Sequence, residues 1–368
     1  MSRPPFTPTI AALPKIVPFV GPEAMERARG RPFRARLGAN ESVFGASPKA
    51  VAVMRDAAAE NWKYSDPENH DLREAIAAHH GVPADCVVVG EGIDGLLGLT
   101  CTLFLTPGSE VVTTDGAYPT FNFHVMAHGG RLHAIPMRDF REDIPRLIDT
   151  AAATSARLVY VSNPNSPMGT WWTGEQINEF IAALPSETLL ILDEAYCETA
   201  PAGTAPAIDV SNPQVVRYRT FSKAYGLAGA RIGYAIGERG TIEAFDKIRN
   251  HYGINRVGQL GARAALLDRD YLRQAVSQIS ASRHRIAAIA AENGLKPLPS
   301  AASFVAIDCG ADGAFASNVL QGLLERDVFV RKPVAKGLEQ FIRVSCGRDQ
   351  DLDIFAEALA DVLARVQA

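Results

Sequence analysis

One lysine has unusual neighbours. Lys223 lies in Arg219-Thr220-Phe221-Ser222-Lys223-Ala224-Tyr225-Gly226-Leu227-Ala228-Gly229-Ala230-Arg231, a run of small, hydroxyl and glycine residues. A lysine in such a setting, rather than on a solvated charged face, is a candidate for Schiff-base chemistry, in which its amine attacks a carbonyl. Eight residues on stands an arginine, Arg231. Thirty residues upstream of Lys223, an apolar run over 189–192 ends in Asp193-Glu194-Ala195-Tyr196. Such a run reads as a fully buried parallel strand, and α/β sheets carry their sites at the carboxyl ends of these strands. Gly90-Glu91-Gly92-Ile93-Asp94-Gly95 joins the strand-like Val87-Val88-Val89 to an apolar helix expected over 96–105. Glycines at a strand-to-helix junction let backbone N–H groups face an anion, and the helix N-terminus helps. The same glycines match the bare GxGxxG spacing of a dinucleotide site, with Asp115 twenty residues after Gly95 where a ribose ligand is expected. A dinucleotide leaves Lys223 and Asp193 without a task.

Together these stretches resemble the motifs of the fold-type I pyridoxal 5'-phosphate (PLP) enzymes, and within them the class I and II aminotransferases. The resemblance covers about residues 36 to 350 and is nearest to the histidinol-phosphate aminotransferase branch. It implies that Lys223 carries the cofactor, with Ser222, Arg231 and the turn Gly92, Ile93 and Asp94 on its phosphate. It implies that Asp193 pairs with the protonated pyridine nitrogen, keeping the ring electron-poor, and that Tyr196 bonds the ring oxygen. Phe121, in Pro119-Thr120-Phe121, takes the place of the ring that stacks on the pyridine. Tyr64, in Tyr64-Ser65-Asp66-Pro67, matches a tyrosine that reaches across a dimer to the neighbour's cofactor phosphate. Asn40 opens Asn40-Glu41-Ser42-Val43-Phe44-Gly45-Ala46-Ser47-Pro48, which resembles the family's Asn-Glu-Asn-Pro-x-Gly-x-Ser-Pro signature, and is carried over to the substrate site. Arg343, in Phe341-Ile342-Arg343-Val344-Ser345-Cys346-Gly347, and Arg331 match arginines that bind anionic groups of the substrate. Ser42 and Val43 replace the usual Asn-Pro. In Asn163-Pro164-Asn165-Ser166-Pro167-Met168-Gly169, Ser166 stands where the family has the asparagine on the ring oxygen, and Met168 replaces a threonine. Ser166 acts there through its hydroxyl or a water, or Asn165 shifts in.

The elements that must position these residues alternate strand and helix through most of the chain. The expected fold is α/β, fold type I: a large PLP-binding domain over 36–265 and a small α+β domain over 266–368 packed with part of the N-terminal segment. The resemblance implies a central, mainly parallel sheet of seven strands, with the strand over 231–236 antiparallel. Residues 1–35 read as an arm in which Pro4, Pro5, Pro8, Pro14 and Pro18 break any long helix. A chain of 368 residues has ample core for two domains.

A net charge of -4 with 21% charged residues gives no bulk preference for nucleic acid. No apolar stretch approaches the roughly 20 residues needed to span a bilayer. Five scattered cysteines without a CxxC pair, and a proline-broken N-terminus unlike a secretory signal, point to a reduced, cytoplasmic protein. His124 and His128 have the i,i+4 spacing of a ligand pair, but the glutamate of HExxH is missing, and no metal is assigned. The expected function is PLP-dependent transfer of an amino group from histidinol phosphate, or an aromatic or related amino acid, to 2-oxoglutarate. The expected partners are a small-molecule amino donor, a 2-oxo acid acceptor and a second copy of the chain in a homodimer, with no nucleic acid and no membrane. Two alternatives are a PLP-dependent decarboxylase of a phosphorylated amino acid and a non-catalytic PLP-binding regulator. The regulator has no room for a helix-turn-helix unit in a 35-residue proline-rich arm.

Overall fold

Strands and helices alternate from residue 87 to residue 246. The computed structural model describes residues 3–15 and 20–366; Pro18 lies outside the described residues. The strands are β1 (Ala35–Arg36), β2 (Val87–Gly90), β3 (Glu110–Thr114), β4 (Arg131–Ile135), β5 (Leu158–Ser162), β6 (Leu189–Asp193), β7 (Val215–Thr220), β8 (Gly233–Ile236), β9 (Lys296–Pro297), β10 (Phe304–Asp308), β11 (Val328–Phe329) and β12 (Phe341–Ser345). Seven of them form one sheet in the order β2-β8-β7-β6-β5-β3-β4. All its pairs are parallel except those of β8, which runs antiparallel to both β2 and β7. β5 and β6 are buried along their whole length, as central strands covered on both faces must be. The expected α/β architecture and seven-stranded sheet are present.

A second core lies under the C-terminal third. Its sheet is antiparallel, β12-β10-β9, and β1 pairs parallel with β11. Ala35 and Leu37 bury their side chains in the same cluster as Ile286, Val319, Ile342 and Phe355. The alanine-rich stretch after residue 255 is two helices, Arg256–Leu267 and Arg269–Glu292. The break falls at buried Asp268, which accepts bonds from Ser47 Oγ at 2.5 Å and Lys49 Nζ at 2.9 Å. Those two residues begin the helix Pro48–Ala58, with Ser47 as its cap and Pro48 in its first turn.

Two element starts differ from expectation. The helix expected from residue 96 begins at Gly92, because Gly92 adopts φ 73° and turns the chain as it leaves β2. The helix His70–His80 starts after Asn69, with Asp71 in its first turn. Upstream Asp66 receives the His70 N–H there at 2.7 Å. Arg231 does not open β8 but precedes it, in a left-handed conformation with φ 57°.

Candidate active site

The carboxyl ends of β6 and β7 and the turn after β2 meet at one edge of the large sheet. Asp193 is the last residue of β6 and is buried. Its Oδ2 accepts the Tyr160 hydroxyl at 2.7 Å and its Oδ1 accepts the Ala195 N–H at 3.0 Å. Burial pushes its carboxyl up to about 6, against the opposing pull of those two donors and the Lys223 charge. Lys223 follows β7. Its Nζ donates to the Asn40 carbonyl at 3.4 Å and lies 5.6 Å from the centre of the Tyr196 ring.

Asn40 is buried with φ 56°. Its Nδ2 donates to the Tyr196 hydroxyl at 3.0 Å. Its N–H donates to Ser345 Oγ at 3.0 Å, and Ser345 Oγ donates back to Asn40 Oδ1 at 2.8 Å. That reciprocal pair holds a backbone conformation that asparagine tolerates better than most residues. The N-terminal segment, β12 and the Lys223 motif are thereby tied at one point.

The turn after β2 is shaped for close approach. A Cβ at Gly92 would stand 2.6 Å from Arg231 Nη2, and one at Gly233 would stand 2.8 Å from both Gly92 C and Ile93 N. Arg231 is anchored by Nη1 to the Ala228 carbonyl at 3.0 Å, and its Nη2 is 3.7 Å from Asp94 Oδ2. Ser222 is buried beside this turn-forming segment, and its N–H donates to Thr220 Oγ1 at 3.0 Å. The arrangement puts a guanidinium over the start of the helix Gly92–Phe104 with no side chain between, which suits an anion.

Phe121 stacks on Tyr160 with ring centres 4.7 Å apart and planes 18° from parallel. Asn165 does not shift toward the site. Its Nδ2 donates to buried Glu142 Oε1 at 2.6 Å and its Oδ1 accepts the Met168 N–H at 3.0 Å. Arg331 and Arg343 pair through their backbones, at 3.1 and 2.6 Å. The Arg331 guanidinium donates to the carbonyls of Gly38 at 3.2 Å and Val20 at 2.7 Å. Arg343 lies over the Phe304 ring at 5.0 Å, and its buried Nε has no hydrogen-bond partner. Burial and the neighbouring Arg331 charge pull its pKa down, the response of a cation lacking an acid. Tyr64 stands apart, 81% exposed, with its ring against Tyr252 at 4.8 Å.

Three features were not read from the sequence. Tyr160 is the one hydroxyl in the strand run Leu158-Val159-Tyr160-Val161, the only signal there that it bonds a partner. Ser345, two residues after Arg343, has no local signal for its bonds to Asn40. Glu194 is 1% exposed and forms a buried ion cluster, accepting from Arg217 Nε at 3.0 Å and Nη2 at 2.5 Å and from Arg219 Nε at 3.0 Å. Burial opposes its charge, but the two guanidinium groups prevail and hold the carboxyl below its usual range. Among the described residues no three His, Cys, Asp or Glu side chains gather to hold a metal ion. His128 instead bonds the His124 carbonyl and Thr102.

The profile of the family "Aminotransferase class I and II" matches residues 35–359. The chain belongs to the class I and II aminotransferases. It is 34% identical over 333 residues to histidinol-phosphate aminotransferase 2 of Pseudomonas fluorescens, covering 90% of this chain and 89% of that one. It is 32% identical to the histidinol-phosphate aminotransferase of Geobacillus thermodenitrificans, covering 97% and 98% of the two chains. The crystal structure of histidinol-phosphate aminotransferase from Sinorhizobium meliloti in complex with pyridoxal-5'-phosphate superposes with a TM-score of 0.96 at 50% identity, covering 99% of each chain. This aminotransferase therefore falls in the histidinol-phosphate branch of its family. The dinucleotide reading of Gly90, Gly92 and Gly95 is set aside by that membership.

Proposed function

We propose that this aminotransferase uses PLP to move an amino group from histidinol phosphate, or an aromatic or related amino acid, to 2-oxoglutarate. The observation that carries the reading is one edge of the sheet bearing Lys223, the buried Asp193 and the bare Gly92–Arg231 cradle. The residues fit the group. The cradle has space that a Cβ would fill, the buried carboxylate suits a protonated ring nitrogen, and an unpaired Arg343 Nε awaits an anion. The Sinorhizobium relative, described with PLP, supports the same assignment. Bound there, PLP supplies an electrophilic aldehyde and an electron-poor ring that spreads the charge left when a substrate loses its α-proton.

The protein's own groups divide the remaining work. Lys223 Nζ is the attachment point and, once released, the base that takes up and returns a proton. Asp193 holds its negative charge at the ring nitrogen. The Tyr196 hydroxyl accepts from Asn40 and so keeps its own hydrogen to donate to the ring oxygen. Ser166 offers a hydroxyl beside it, since the Asn165 amide is committed to Glu142 and Met168. Phe121 covers the ring face. Ser222, Arg231 and the N–H groups of Gly92, Ile93 and Asp94 hold the phosphate. Arg331 and Arg343 bind the substrate's anionic groups, with Asn40 between them and Lys223.

The same reading divides the chain into an arm over 1–35, a cofactor domain over 36–265 and a small domain over 266–368. A homodimer accounts for the exposure of Trp62 at 79%, Tyr64 at 81% and Tyr252 at 54%, with Tyr64 reaching the neighbour's phosphate site. No described helix is long and apolar enough to cross a membrane. A cytoplasmic location fits the free cysteines, four of which are buried.

The test is absorbance of the PLP-loaded protein, titrated separately with histidinol phosphate and phenylalanine, with product mass read afterward. Faster loss of the visible lysine–PLP band with histidinol phosphate, and a keto product, is expected. A faster reaction with phenylalanine moves the donor to the aromatic amino acids. Carbon dioxide without a keto product overturns transamination.

A further inference from the structure

Tyr160 is fully buried in β5, and a buried phenol must find a partner for its hydroxyl. That partner is Asp193 Oδ2 at 2.7 Å. The register explains the meeting: Ser162, two residues after Tyr160, pairs with Asp193 on the neighbouring strand, so Tyr160 and Asp193 project from the same face. On that face the Tyr160 ring also stacks on Phe121. One side chain thus touches both the carboxylate assigned to the cofactor's ring nitrogen and the aromatic assigned to its ring face.

We infer that Tyr160 is a positioning residue for the reaction: its hydroxyl fixes the Asp193 carboxylate as an ionised acceptor, and its ring backs Phe121. The inference rests on the assignment of Asp193 given above. With Oδ2 held by Tyr160 and Oδ1 held by Ala195, the carboxylate cannot swing, and each oxygen keeps a second lone pair for a cation. The hydroxyl favours the charged form, against the burial that disfavours it. The other titratable groups acting on Asp193 are Lys223 after β7, Asp94 at the start of the helix Gly92–Phe104, Tyr118 before the helix Pro119–Ala127, and Tyr218 on β7. Tyr196, three residues after Asp193, acts on Tyr160.

The test compares Tyr160→Phe, Tyr160→Met and Asp193→Asn. In the cofactor-free protein, the titration of the Asp193 carboxyl is followed by carbon NMR, with Asp193→Asn identifying the signal. Tyr160→Phe and Tyr160→Met should both move its midpoint upward from about 6, which a merely structural role would not do. In the PLP-loaded enzyme, Tyr160→Phe should lower kcat about ten-fold with little change in KM, as expected for the loss of a hydrogen bond to a charged group. Tyr160→Met, which also removes the stacked ring, should in addition weaken PLP binding. An unmoved carboxyl titration in both variants overturns the inference. If Asp193→Asn is crippled while Tyr160→Phe turns over normally, this inference alone falls. Normal turnover of Asp193→Asn rejects the underlying assignment of Asp193 instead.

Discussion

Gly233→Ala tests the phosphate cradle without removing any polar side chain. β8 lies between β2 and β7, and Gly233 pairs with Gly90 on one side and Thr220 on the other. A Cβ at Gly233 would sit 2.8 Å from Gly92 C and Ile93 N and 3.1 Å from the Arg219 carbonyl oxygen. The closest pair is about 0.6 Å short of the 3.4 Å at which ordinary contact begins. Every atom it meets is backbone, so no rotamer change relieves the clash. Either β8 withdraws and carries Arg231 with it, or the turn at Gly92 withdraws. Both movements widen the cradle. Forcing a methyl group into a packed site costs about 1–3 kcal/mol. Carried wholly by cofactor affinity, that is roughly a 5- to 150-fold rise in the Kd for PLP. Gly229→Ala is the matched control from the same motif, since a Cβ there meets nothing within 4 Å. The assay is equilibrium dialysis of the cofactor-free wild type and both variants against PLP and against pyridoxal, which lacks the phosphate. The loss in Gly233→Ala should be larger for PLP than for pyridoxal, and Gly229→Ala should match wild type. Wild-type PLP affinity in Gly233→Ala, or equal losses for the two ligands, would refute the cradle.

Lys223→Ala should reduce transamination by at least ~10²–10⁴-fold, the worth of a positioned base, and abolish the covalent PLP band; retained turnover in a steady-state assay rejects the lysine. Glu194→Gln leaves two buried guanidinium groups without a countercharge and should cost about 3–5 kcal/mol, seen as a lowered urea midpoint; an unchanged midpoint contradicts the buried cluster. Glu142 is buried, and burial raises its carboxyl from 4.5 to about 7. The folded protein therefore holds this proton where the unfolded chain has released it, so Glu142 makes stability fall as pH rises from about 4.5 to 7 and level off above. Glu142→Gln keeps an acceptor for Asn165 and should match wild type near pH 4.5 but exceed it at pH 8 by on the order of 3 kcal/mol. A constant difference between the two in urea unfolding across that range would show that Glu142 does not titrate in the fold.

The large sheet was legible because its strands are short apolar runs that end in chemistry. Val87-Val88-Val89 runs into glycines and 189–192 into Asp193. Burial on both faces forces that composition, so it shows without knowledge of the partners. The capping box of Thr173 and Gln176 rests on local bonds, the kind that neighbouring residues can show. Contacts made across long separations were not. Ser345 meets Asn40 across 305 residues, and Tyr160 meets Asp193 only because β5 and β6 lie side by side in register. Asp268 breaks a helical pattern through bonds to Ser47 and Lys49, far back in the chain, where no periodicity of its own neighbours records them. The start of the helix at Gly92 was missed because the apolar stripe begins later than the hydrogen bonding, and the turn depends on space that Gly233 leaves open.

The reversed direction of β8 has a consequence for how the protein can be cut. In a sheet with every strand parallel, the residue entering a strand lies at the opposite end from the residue leaving its neighbour. Here the chain leaves β7, turns through Lys223 and reaches Arg231 without crossing back under the sheet. The amine and the guanidinium are therefore encoded eight positions apart on one connector between β7 and β8, rather than on separate strand–helix units. A nick elsewhere, such as in the exposed turn at Ala202 and Gly203, leaves both groups on one fragment. Split or permuted versions of the chain can be opened in that loop with the connector intact, whereas a cut inside the connector would part the attachment point from its anion clamp.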